Sequence, residues 1–320
     1  MREYDELPFF EKYCKEYNVD FDYTTEAPSP DNYSLANGFD GISIITTTTG
    51  PDMIDAMKAD GVKVISTRTI GYDHIDIDYA KKAGIGVCNL TYSPETVADY
   101  AIMMMLIACR KLPYVMRQAE KQNYILVGKL GRNIGSCTVG VVGTGRIGTC
   151  LISHLHSFGC RILANDIYEK DEIRQYSEYT DLETLYRESD IITLHAPALN
   201  DTWHMINADT LAKMKDGVIL VNCARGSLID TAALIDGLAS GKVGFAALDV
   251  IENEAGLYYN DLSGVELENK DIAVLKSFDN VFFSPHMAFY TDDAVADMVE
   301  GSVEGIVSYL TDGIFPYIVR

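Results

Sequence analysis

Residues 138–148 read TVGVVGTGRIG and are the most informative segment of this chain. An apolar strand, TVGVV, leads directly into Gly143, Gly145 and Gly148, and a helix is predicted over residues 146–158. In this GxGxxG spacing the first glycine permits a tight turn, the second lets a pyrophosphate approach the backbone, and the third allows close packing of helix on strand. Amide N–H groups at the start of the helix attract phosphate. The stretch therefore predicts a dinucleotide-binding site.

A second strand, RILAND, ends in Asp166, 18 residues after Gly148. A carboxylate at this point accepts hydrogen bonds from ribose hydroxyls and repels a 2′-phosphate, which favours NAD over NADP. The strand, glycine turn, helix and acidic strand end together are far more specific than the glycines alone. We expect NAD to contact Asp166 and the loop formed by Gly143, Thr144, Gly145, Arg146, Ile147 and Gly148.

Short β-rich runs alternate with helical stretches on both sides of this motif. Several of the runs, such as GVILVNCA at 217–224, are nearly continuous in apolar residues, which is typical of parallel strands covered by helices on both faces. The alternation of strand and helix predicts an α/β fold with parallel sheets. The candidate strands are 19–23, 41–46, 62–67, 86–90, 137–142, 161–166, 191–196, 218–224, 244–250 and 281–284.

Two long helical patterns interrupt this alternation, at 93–112 and 291–311. The segment between them carries its own series of strands, including the glycine motif. We therefore predict two Rossmann-like domains, one of them discontinuous. Residues 93–287 are assigned to the NAD-binding domain, and residues 1–92 and 288–320 together to the substrate domain.

Composition limits the class of protein. Hydrophobic residues make up 48% and charged residues 23% of the chain, as in an ordinary globular protein. A net charge of −21 repels phosphate backbones and anionic lipid, so we expect neither nucleic acid nor a membrane as partner. The seven cysteines include no CxxC pair, which predicts reduced thiols in a cytoplasmic protein rather than disulfides or a zinc site. No secretory leader is expected.

Four polar residues lie at or just after the ends of predicted strands, at the position where ligands of open α/β sheets bind: His195, Arg225, Glu254 and His286. A hydride-transfer enzyme that acts on a carbonyl needs a proton donor near pH 7, which suits histidine. Arginine can hold a substrate carboxylate through two parallel hydrogen bonds, and a carboxylate beside the histidine favours its protonated form. Spacing alone does not choose between the two histidines, or between Glu254 and Glu252.

Several motifs resemble the D-2-hydroxyacid dehydrogenase family: VVGTGRIG, VNCARGSLIDTAAL, AALDVIENEAG and FFSPHMAFYT. STRTIGYDHID, YSPETVADYAIMMML and the later segment YYNDLSGVELENKD are similar to its D-lactate and D-2-hydroxyisocaproate dehydrogenase branch. The resemblance covers about residues 60–311. It implies an NAD-dependent oxidoreductase that reversibly reduces a small 2-keto acid to the D-2-hydroxy acid without a metal.

The resemblance also implies roles for single residues. Arg225 would bind the substrate carboxylate and polarise the ketone. His286, rather than His195, would be the acid–base residue, and Glu254, rather than Glu252, would pair with it. The family pattern places His195, Ala196, Pro197, Asn222, Cys223, Ala224 and Asp249 with the cofactor, and Ile70, Gly71, Tyr92, Arg225 and Tyr290 with the substrate.

Pyruvate is the simplest substrate, which would make the protein a D-lactate dehydrogenase. Because the loop TTTTG at 46–50 is small and polar, 2-ketoisocaproate and phenylpyruvate are close rivals. The alternative function is an NAD-responsive binding module without activity, of the corepressor type. The resemblance further implies a homodimer formed through the cofactor domains.

One feature departs from the family pattern. Family members begin with a short apolar strand, whereas this chain opens with MREYDELPFF, in which Leu7 and Phe10 share a helical face with Tyr13 and Tyr17. We therefore expect the substrate domain to lack its usual first strand. A natural loss, a misassigned start and a truncation would all produce this pattern.

Overall fold

The computed structural model describes residues 1–254, 256–267 and 269–315. Contacts between residues divide the chain into two compact units. The central unit runs from Pro94 to Phe289, and the outer unit combines Met1–Ser93 with the segment that starts at Tyr290. The boundaries assigned from the sequence lie one and two residues away, and residues 316–320 of that assignment are outside the described part. The functional labels of the two domains stay predictions at this point.

Helices and strands alternate along most of the described chain. The α-helices are α1 Leu7–Glu16, α2 Pro51–Ala59, α3 Ile77–Ala83, α4 Glu95–Cys109, α5 Leu112–Glu120, α6 Arg146–His156, α7 Leu182–Glu188, α8 Ala208–Lys213, α9 Thr231–Ser240, α10 Lys270–Ser277 and α11 Asp292–Asp312. The strands are β1 Gly41–Ile44, β2 Val64–Thr67, β3 Gly86–Cys88, β4 Thr138–Val142, β5 Arg161–Asn165, β6 Glu178–Tyr179, β7 Ile191–Leu194, β8 Val218–Asn222, β9 Val243–Leu248 and β10 Val281–Phe283.

The central unit is built on a seven-stranded parallel sheet with the order β10-β9-β8-β7-β4-β5-β6. Every residue of β7 and β8 is buried, because apolar side chains of the surrounding helices cover both faces of the sheet. The strand order reverses direction between β4 and β7. In sheets of this kind, ligands bind at the carboxyl ends of the strands on either side of such a reversal.

The outer unit holds a three-stranded parallel sheet with the order β1-β2-β3. One face packs on α2 and α3 through a cluster that includes Ile54 and Ile65. Helices α1 and α11 pack together through Phe10, Tyr13 and Val299. The expected apolar face of the first helix is therefore present. Among the described residues, α1 precedes the first strand of this sheet.

Both domains are α/β with parallel sheets, which confirms the predicted fold class. One predicted strand was wrong, one predicted helix is shorter than expected, and one strand was missed. Residues 19–23 form no strand; Phe21 instead stacks on Phe10, with ring centroids 5.9 Å apart, so helix side chains cover its apolar face. The helix predicted over 93–112 is present as α4 but is shorter, because the chain leaves the helix after Cys109 and Lys111, with a φ of +51°, separates it from α5. The two-residue strand β6 was missed because it is too short to show a pattern.

No helix within the described ranges is long and apolar enough to cross a lipid bilayer.

Candidate active site

The glycine loop follows β4 and begins α6. A Cβ on Gly143, which has a φ of +95°, would lie 2.6 Å from the carbonyl carbon of His195, and a Cβ on Gly148 would lie 2.0 Å from the oxygen of Gly143. Only glycine fits at these two positions. A Cβ on Gly145 meets nothing within 4 Å, and no side chain caps the helix that starts at Arg146. The loop therefore offers open space and helix amide groups to an anion.

Asp166 follows β5 and is tied to this loop. One carboxylate oxygen accepts a hydrogen bond from the Thr144 amide at 2.5 Å and lies 3.2 Å from the Thr144 hydroxyl; the other accepts from the Tyr168 amide at 3.0 Å. A phosphate-binding helix terminus next to a carboxylate at the end of the second strand matches the requirements of a dinucleotide. The residues present therefore fit NAD. Ile147, the remaining predicted loop contact, is partly buried on α6.

His195 follows β7, on the other side of the reversal in strand order. Its amide donates to the carbonyl of Val142 at 2.7 Å, and its Nε2 lies 2.9 Å from the Thr193 hydroxyl. Burial lowers the pKa of His195 to about 4, so the ring is neutral at pH 7. The next two residues, Ala196 and Pro197, are partly buried and exposed, respectively.

Asn222, the last residue of β8, shapes the turn that carries Arg225. Its side-chain amide donates to the Arg225 carbonyl at 2.9 Å and accepts from the Ala224 amide at 3.0 Å. Its own carbonyl accepts from the amide of Asp249 at 2.9 Å, which links this turn to the end of β9. Cys223 lies between Asn222 and Ala224. Burial raises the pKa of its thiol well above the ordinary value, so the thiol is neutral.

Glu254 and His286 are in direct contact. The Glu254 Oε1 atom lies 2.8 Å from His286 Nδ1, and Glu254 Oε2 accepts from the Ile251 amide at 3.2 Å. Both side chains are only partly buried. Since the carboxylate engages Nδ1, the ring is oriented with Nε2 as the nitrogen available for proton transfer.

Asp249 anchors the turn that carries His286. Its buried carboxylate accepts from the Ser284 hydroxyl at 2.6 Å, the Met287 amide at 2.8 Å and the Ala288 amide at 2.9 Å. Burial raises the pKa of Asp249, while these hydrogen bonds act in the opposite direction. The sequence resemblance suggested only a cofactor contact for Asp249. Its structural role was missed because its hydrogen-bond partners lie 35 or more residues away along the chain, where no local sequence pattern reveals them.

Two tyrosines near His286 were not identified from the sequence. The Tyr258 ring stands edge-on to the imidazole at a centroid distance of 6.2 Å, and the Tyr259 hydroxyl donates to the His286 carbonyl at 3.0 Å. The Tyr258 hydroxyl is buried, and burial raises its pKa. The segment YYNDLSGVELENKD begins with these two residues, but it was noted only for its resemblance, and no role was assigned to either tyrosine.

The predicted substrate residues Ile70, Gly71 and Tyr92 lie in the outer unit, at the carboxyl ends of its strands. The Ile70 carbonyl accepts from the Asn89 side chain at 2.7 Å, and the Gly71 carbonyl accepts from the Thr69 hydroxyl at 2.6 Å. The loop after β2 is therefore held from both sides. Its conformation is fixed by the outer unit itself.

Tyr290, the first residue of the second outer segment, donates its hydroxyl to Asp5 at 2.5 Å. Burial and this carboxylate together raise the pKa of Tyr290. Asp5 is also paired with Arg2 at 2.9 Å. Tyr290, a predicted substrate contact, thus belongs to a hydrogen-bond network with Asp5 and Arg2, which precede α1.

The turns that carry Arg225 and Glu254 pack directly on each other. A Cβ on Gly226 would lie 2.0 Å from the carbonyl carbon of Ile251. The central unit therefore combines a dinucleotide loop, a guanidinium and an imidazole–carboxylate pair. This combination defines an NAD-dependent oxidoreductase that acts on a carbonyl or hydroxyl group. No group of three or more metal-binding side chains occurs within the described ranges.

Comparison with known proteins agrees with this class. A family model described as "D-isomer specific 2-hydroxyacid dehydrogenase, NAD binding domain" matches residues 102–288. An aromatic 2-oxoacid reductase from Clostridium sporogenes is 42% identical, over 92% of this chain and 90% of that protein. A D-lactate dehydrogenase from Lactiplantibacillus plantarum is 37% identical, over 97% and 94%.

Among solved structures, a D-lactate dehydrogenase from Treponema pallidum is similar with a TM-score of 0.90 and 32% identity, covering 100% of this chain and 98% of that one. The chain belongs to the D-isomer specific 2-hydroxyacid dehydrogenase family. The resemblance, the enzyme class and the NAD cofactor expected from the sequence are thereby confirmed. The comparisons favour an enzyme over the non-enzymatic binding module.

Proposed function

We propose that this protein reduces a small 2-keto acid to its D-2-hydroxy acid with NADH, and that Arg225, Glu254 and His286 are its catalytic residues. The observation that carries the proposal is the 2.8 Å contact between His286 Nδ1 and Glu254 Oε1. This contact orients the His286 ring with Nε2 free for proton transfer and gives an imidazolium formed there an anionic partner. His195 is unsuited to that role, since its pKa of about 4 leaves it neutral at pH 7.

Each of the three side chains has a distinct task in the proposed mechanism. NADH, when bound, supplies the hydride. His286 donates a proton from Nε2 to the developing alkoxide, and Glu254 stabilises the imidazolium through Nδ1. Arg225 binds the substrate carboxylate and fixes the keto carbon relative to His286. In the reverse direction His286 accepts the proton from the hydroxy acid.

The surrounding residues are proposed to bind the two reactants. Asp249 and His195 would contact the nicotinamide side of the cofactor, and Ile70 with Gly71 would offer backbone groups to the substrate carboxylate. The remaining cofactor contacts are proposed at Gly143, Thr144, Gly145, Arg146, Ile147, Gly148, Asp166, Ala196, Pro197, Asn222, Cys223 and Ala224, and the remaining substrate contacts at Tyr92 and Tyr290.

Pyruvate is the proposed substrate, with phenylpyruvate and 2-ketoisocaproate as the other candidates. The similarity to a D-lactate dehydrogenase supports pyruvate, whereas the higher identity to an aromatic 2-oxoacid reductase supports phenylpyruvate. The small loop at 46–50 follows β1 and is compatible with a larger side chain.

A homodimer is also proposed. Residues 124–130, which follow α5, expose an unusual series of large apolar side chains: Tyr124, Ile125, Leu126, Val127 and Leu130 are 60–86% exposed. Apolar surface of this density in a water-exposed segment marks an interaction site. A second copy of the chain is the proposed partner, since the segment belongs to the cofactor-binding unit through which the resemblance predicts dimerisation.

A cytoplasmic location is proposed as well. All seven cysteines are free thiols, and five of them are buried. Free thiols are typical of proteins in a reducing compartment.

An absorbance assay tests the enzymatic proposal. The protein is mixed with NADH and, in separate reactions, pyruvate, 2-ketoisocaproate and phenylpyruvate, and the cofactor absorbance is followed. We expect turnover with D-product from at least one of them. His286→Gln should bind NADH as the wild type does but lose about 10²- to 10⁴-fold in kcat. Unchanged turnover in this variant, or tight NADH binding without turnover in the wild type, would contradict the proposal.

A further inference from the structure

A second imidazole–carboxylate pair lies in the central unit, outside the proposed catalytic residues. His204 Nε2 is 2.6 Å from Glu252 Oε1, and the side chains are 29% and 16% exposed, so the pair is largely shielded from water. His204 has a φ of +47°, and its ring stacks on Trp203 at a centroid distance of 4.6 Å. A residue in a left-handed conformation with two such contacts is held in place rather than solvated.

Glu252 is fixed from several directions. Its second carboxylate oxygen accepts from the Thr231 amide at 3.0 Å and the Thr231 hydroxyl at 2.7 Å, at the first residue of α9. Its backbone carbonyl accepts from the Asn269 side chain at 3.1 Å. Because only Asn253 separates Glu252 from Glu254, these bonds fix the start of the turn from which Glu254 reaches His286.

His204 is fixed in turn to the segment that follows Arg225. Its amide donates to the carbonyl of Ser227 at 2.9 Å, and its Nδ1 lies 3.8 Å from a carboxylate oxygen of Asp230. His204 is thus bound by its backbone to the Arg225 turn and by its ring to the Glu254 turn. The contact between His204 and Glu252 therefore joins these two turns.

Close packing reinforces the connection. At Gly226 a Cβ would lie 2.0 Å from the carbonyl carbon of Ile251 and 2.4 Å from the amide nitrogen of Glu252. No side chain separates the two backbones at this point, so a displacement of one turn must displace the other. A shift of about 1 Å in a catalytic group can cost about 10²-fold in rate.

We propose that His204 and Glu252 are positioning residues, which hold the Arg225 turn and the Glu254 turn in the relative orientation that the reaction requires. The inference rests on the proposed function of Arg225, Glu254 and His286. Neither residue of the pair needs to touch the substrate. The pair acts through the backbone of residues 225–227 and 251–254.

Four single variants test the proposal. Glu252→Gln removes the charge but keeps the shape, and His204→Ala removes the ring. His204→Gln retains a donor near the position of Nε2 and should rescue most of the loss. The matched control is His154→Gln, which breaks another imidazole–carboxylate pair of the central unit, with Nδ1 2.8 Å from Asp99 Oδ1.

The first readout separates kcat from KM. Glu252→Gln and His204→Ala should lower kcat for the keto acid about tenfold or more and leave the KM for NADH within about twofold, because the glycine loop is not touched. His204→Gln and His154→Gln should stay within about threefold of the wild type. If the pair only stabilised the fold, Glu252→Gln and His204→Ala would lower the melting temperature without this selective loss of kcat.

The second readout does not depend on activity. The ring nitrogens of His286 are observed by NMR, with His286→Gln identifying their signals. Glu254 and Tyr258 contact this ring and are unchanged in the variants. If the pair positions Glu254, its loss weakens the Glu254 contact, and the chemical shift of His286 Nδ1 changes in Glu252→Gln and His204→Ala but not in His154→Gln.

The outcomes distinguish the two proposals. A wild type that reduces no keto acid refutes the proposed function, while the NMR measurement still decides whether the pair positions Glu254. Variants with wild-type kcat and an unchanged chemical shift of His286 Nδ1 refute the positioning role and leave the proposed function intact. Equal losses in His204→Ala and His204→Gln also refute it, because the retained donor should restore the connection.

Discussion

Ser284 donates its hydroxyl to Asp249 across 2.6 Å in the interior of the central unit, 35 residues away along the chain. The serine is 6% exposed and the aspartate not at all. Through this contact and two backbone amides, the buried carboxylate determines the path of the turn that carries His286. The position of the proposed acid therefore depends on a residue that does not take part in proton transfer.

Ser284→Ala should lower the free energy of unfolding by about 1.5–3 kcal/mol, because a hydrogen bond to a buried charged group is lost. Chemical denaturation followed by circular dichroism measures this change. The control is Ser240→Ala, which removes a 3.2 Å bond to the Gly237 carbonyl at the exposed end of α9 and should change stability by less than about 0.5 kcal/mol. Equal effects in both variants would argue against an anchoring role for Asp249.

Arg225→Lys should lower kcat/KM for the keto acid about 10- to 100-fold. Lysine keeps the charge but loses the two parallel hydrogen bonds to the substrate carboxylate, which corresponds to about 1.5–3 kcal/mol. The Kd for NADH, measured by fluorescence titration, should not change. A loss of NADH affinity equal to the loss of kcat/KM would show that Arg225 serves the cofactor instead.

Gly145→Ala should leave the folded protein intact and still weaken NADH binding at least about tenfold, or about 1.4 kcal/mol. Its Cβ would meet no protein atom within 4 Å, so the space it fills is the space proposed for the pyrophosphate. Gly50→Ala is the matched control, because that glycine also begins a helix and has nothing within 4 Å of its Cβ. Calorimetric titration with NADH and thermal melting compare the two. If Gly145→Ala bound NADH with wild-type affinity, the pyrophosphate would have to bind at another place.

His195 should make the protein less stable as the pH falls. Its pKa in the folded state is about 4, against 6.5 in the unfolded chain, so between these values the unfolded chain binds a proton that the folded chain does not. The contribution of the neutral ring to the free energy of unfolding is therefore fully present well above pH 6.5 and is lost progressively as the pH falls below that value. Between pH 7.5 and 5.5 the free energy of unfolding should fall by about 1 kcal/mol more in the wild type than in His195→Gln. Denaturation curves at both pH values measure this; parallel curves would refute burial as the cause.

Leu126→Lys combined with Leu130→Lys should convert the proposed dimer into a monomer. These side chains are 85% and 86% exposed in the single chain, so the substitutions should not disturb the fold. Light scattering should give twice the chain mass of 35.4 kDa for the wild type and 35.4 kDa for the variant. Leu35→Lys, at an exposed leucine of the outer unit, should remain dimeric. A monomeric wild type would exclude the homodimer.

Local sequence patterns were sufficient to predict the cofactor-binding unit. The run from the apolar strand through Gly143 and Gly148 to Asp166 lies within 30 residues, and the backbone reasons for its glycines are local. Spacing therefore predicts the turn, the helix start and the acidic strand end correctly. The same applies to the alternation of strands and helices, because side-chain periodicity is a property of each segment alone.

Which side chains meet depends on the tertiary structure. By spacing, Glu252 and Glu254 were equivalent, and so were His195 and His286, and only the family resemblance favoured Glu254 and His286. The fold pairs Glu254 with His286, and it also pairs Glu252 with His204, a contact that no sequence pattern predicted. It also buries His195 and leaves it neutral. Pairings between distant turns depend on how strands are ordered in the sheet and how closely backbones approach, as at Gly226 and Ile251. Those distances are set by the packing of the whole unit, which no local pattern encodes.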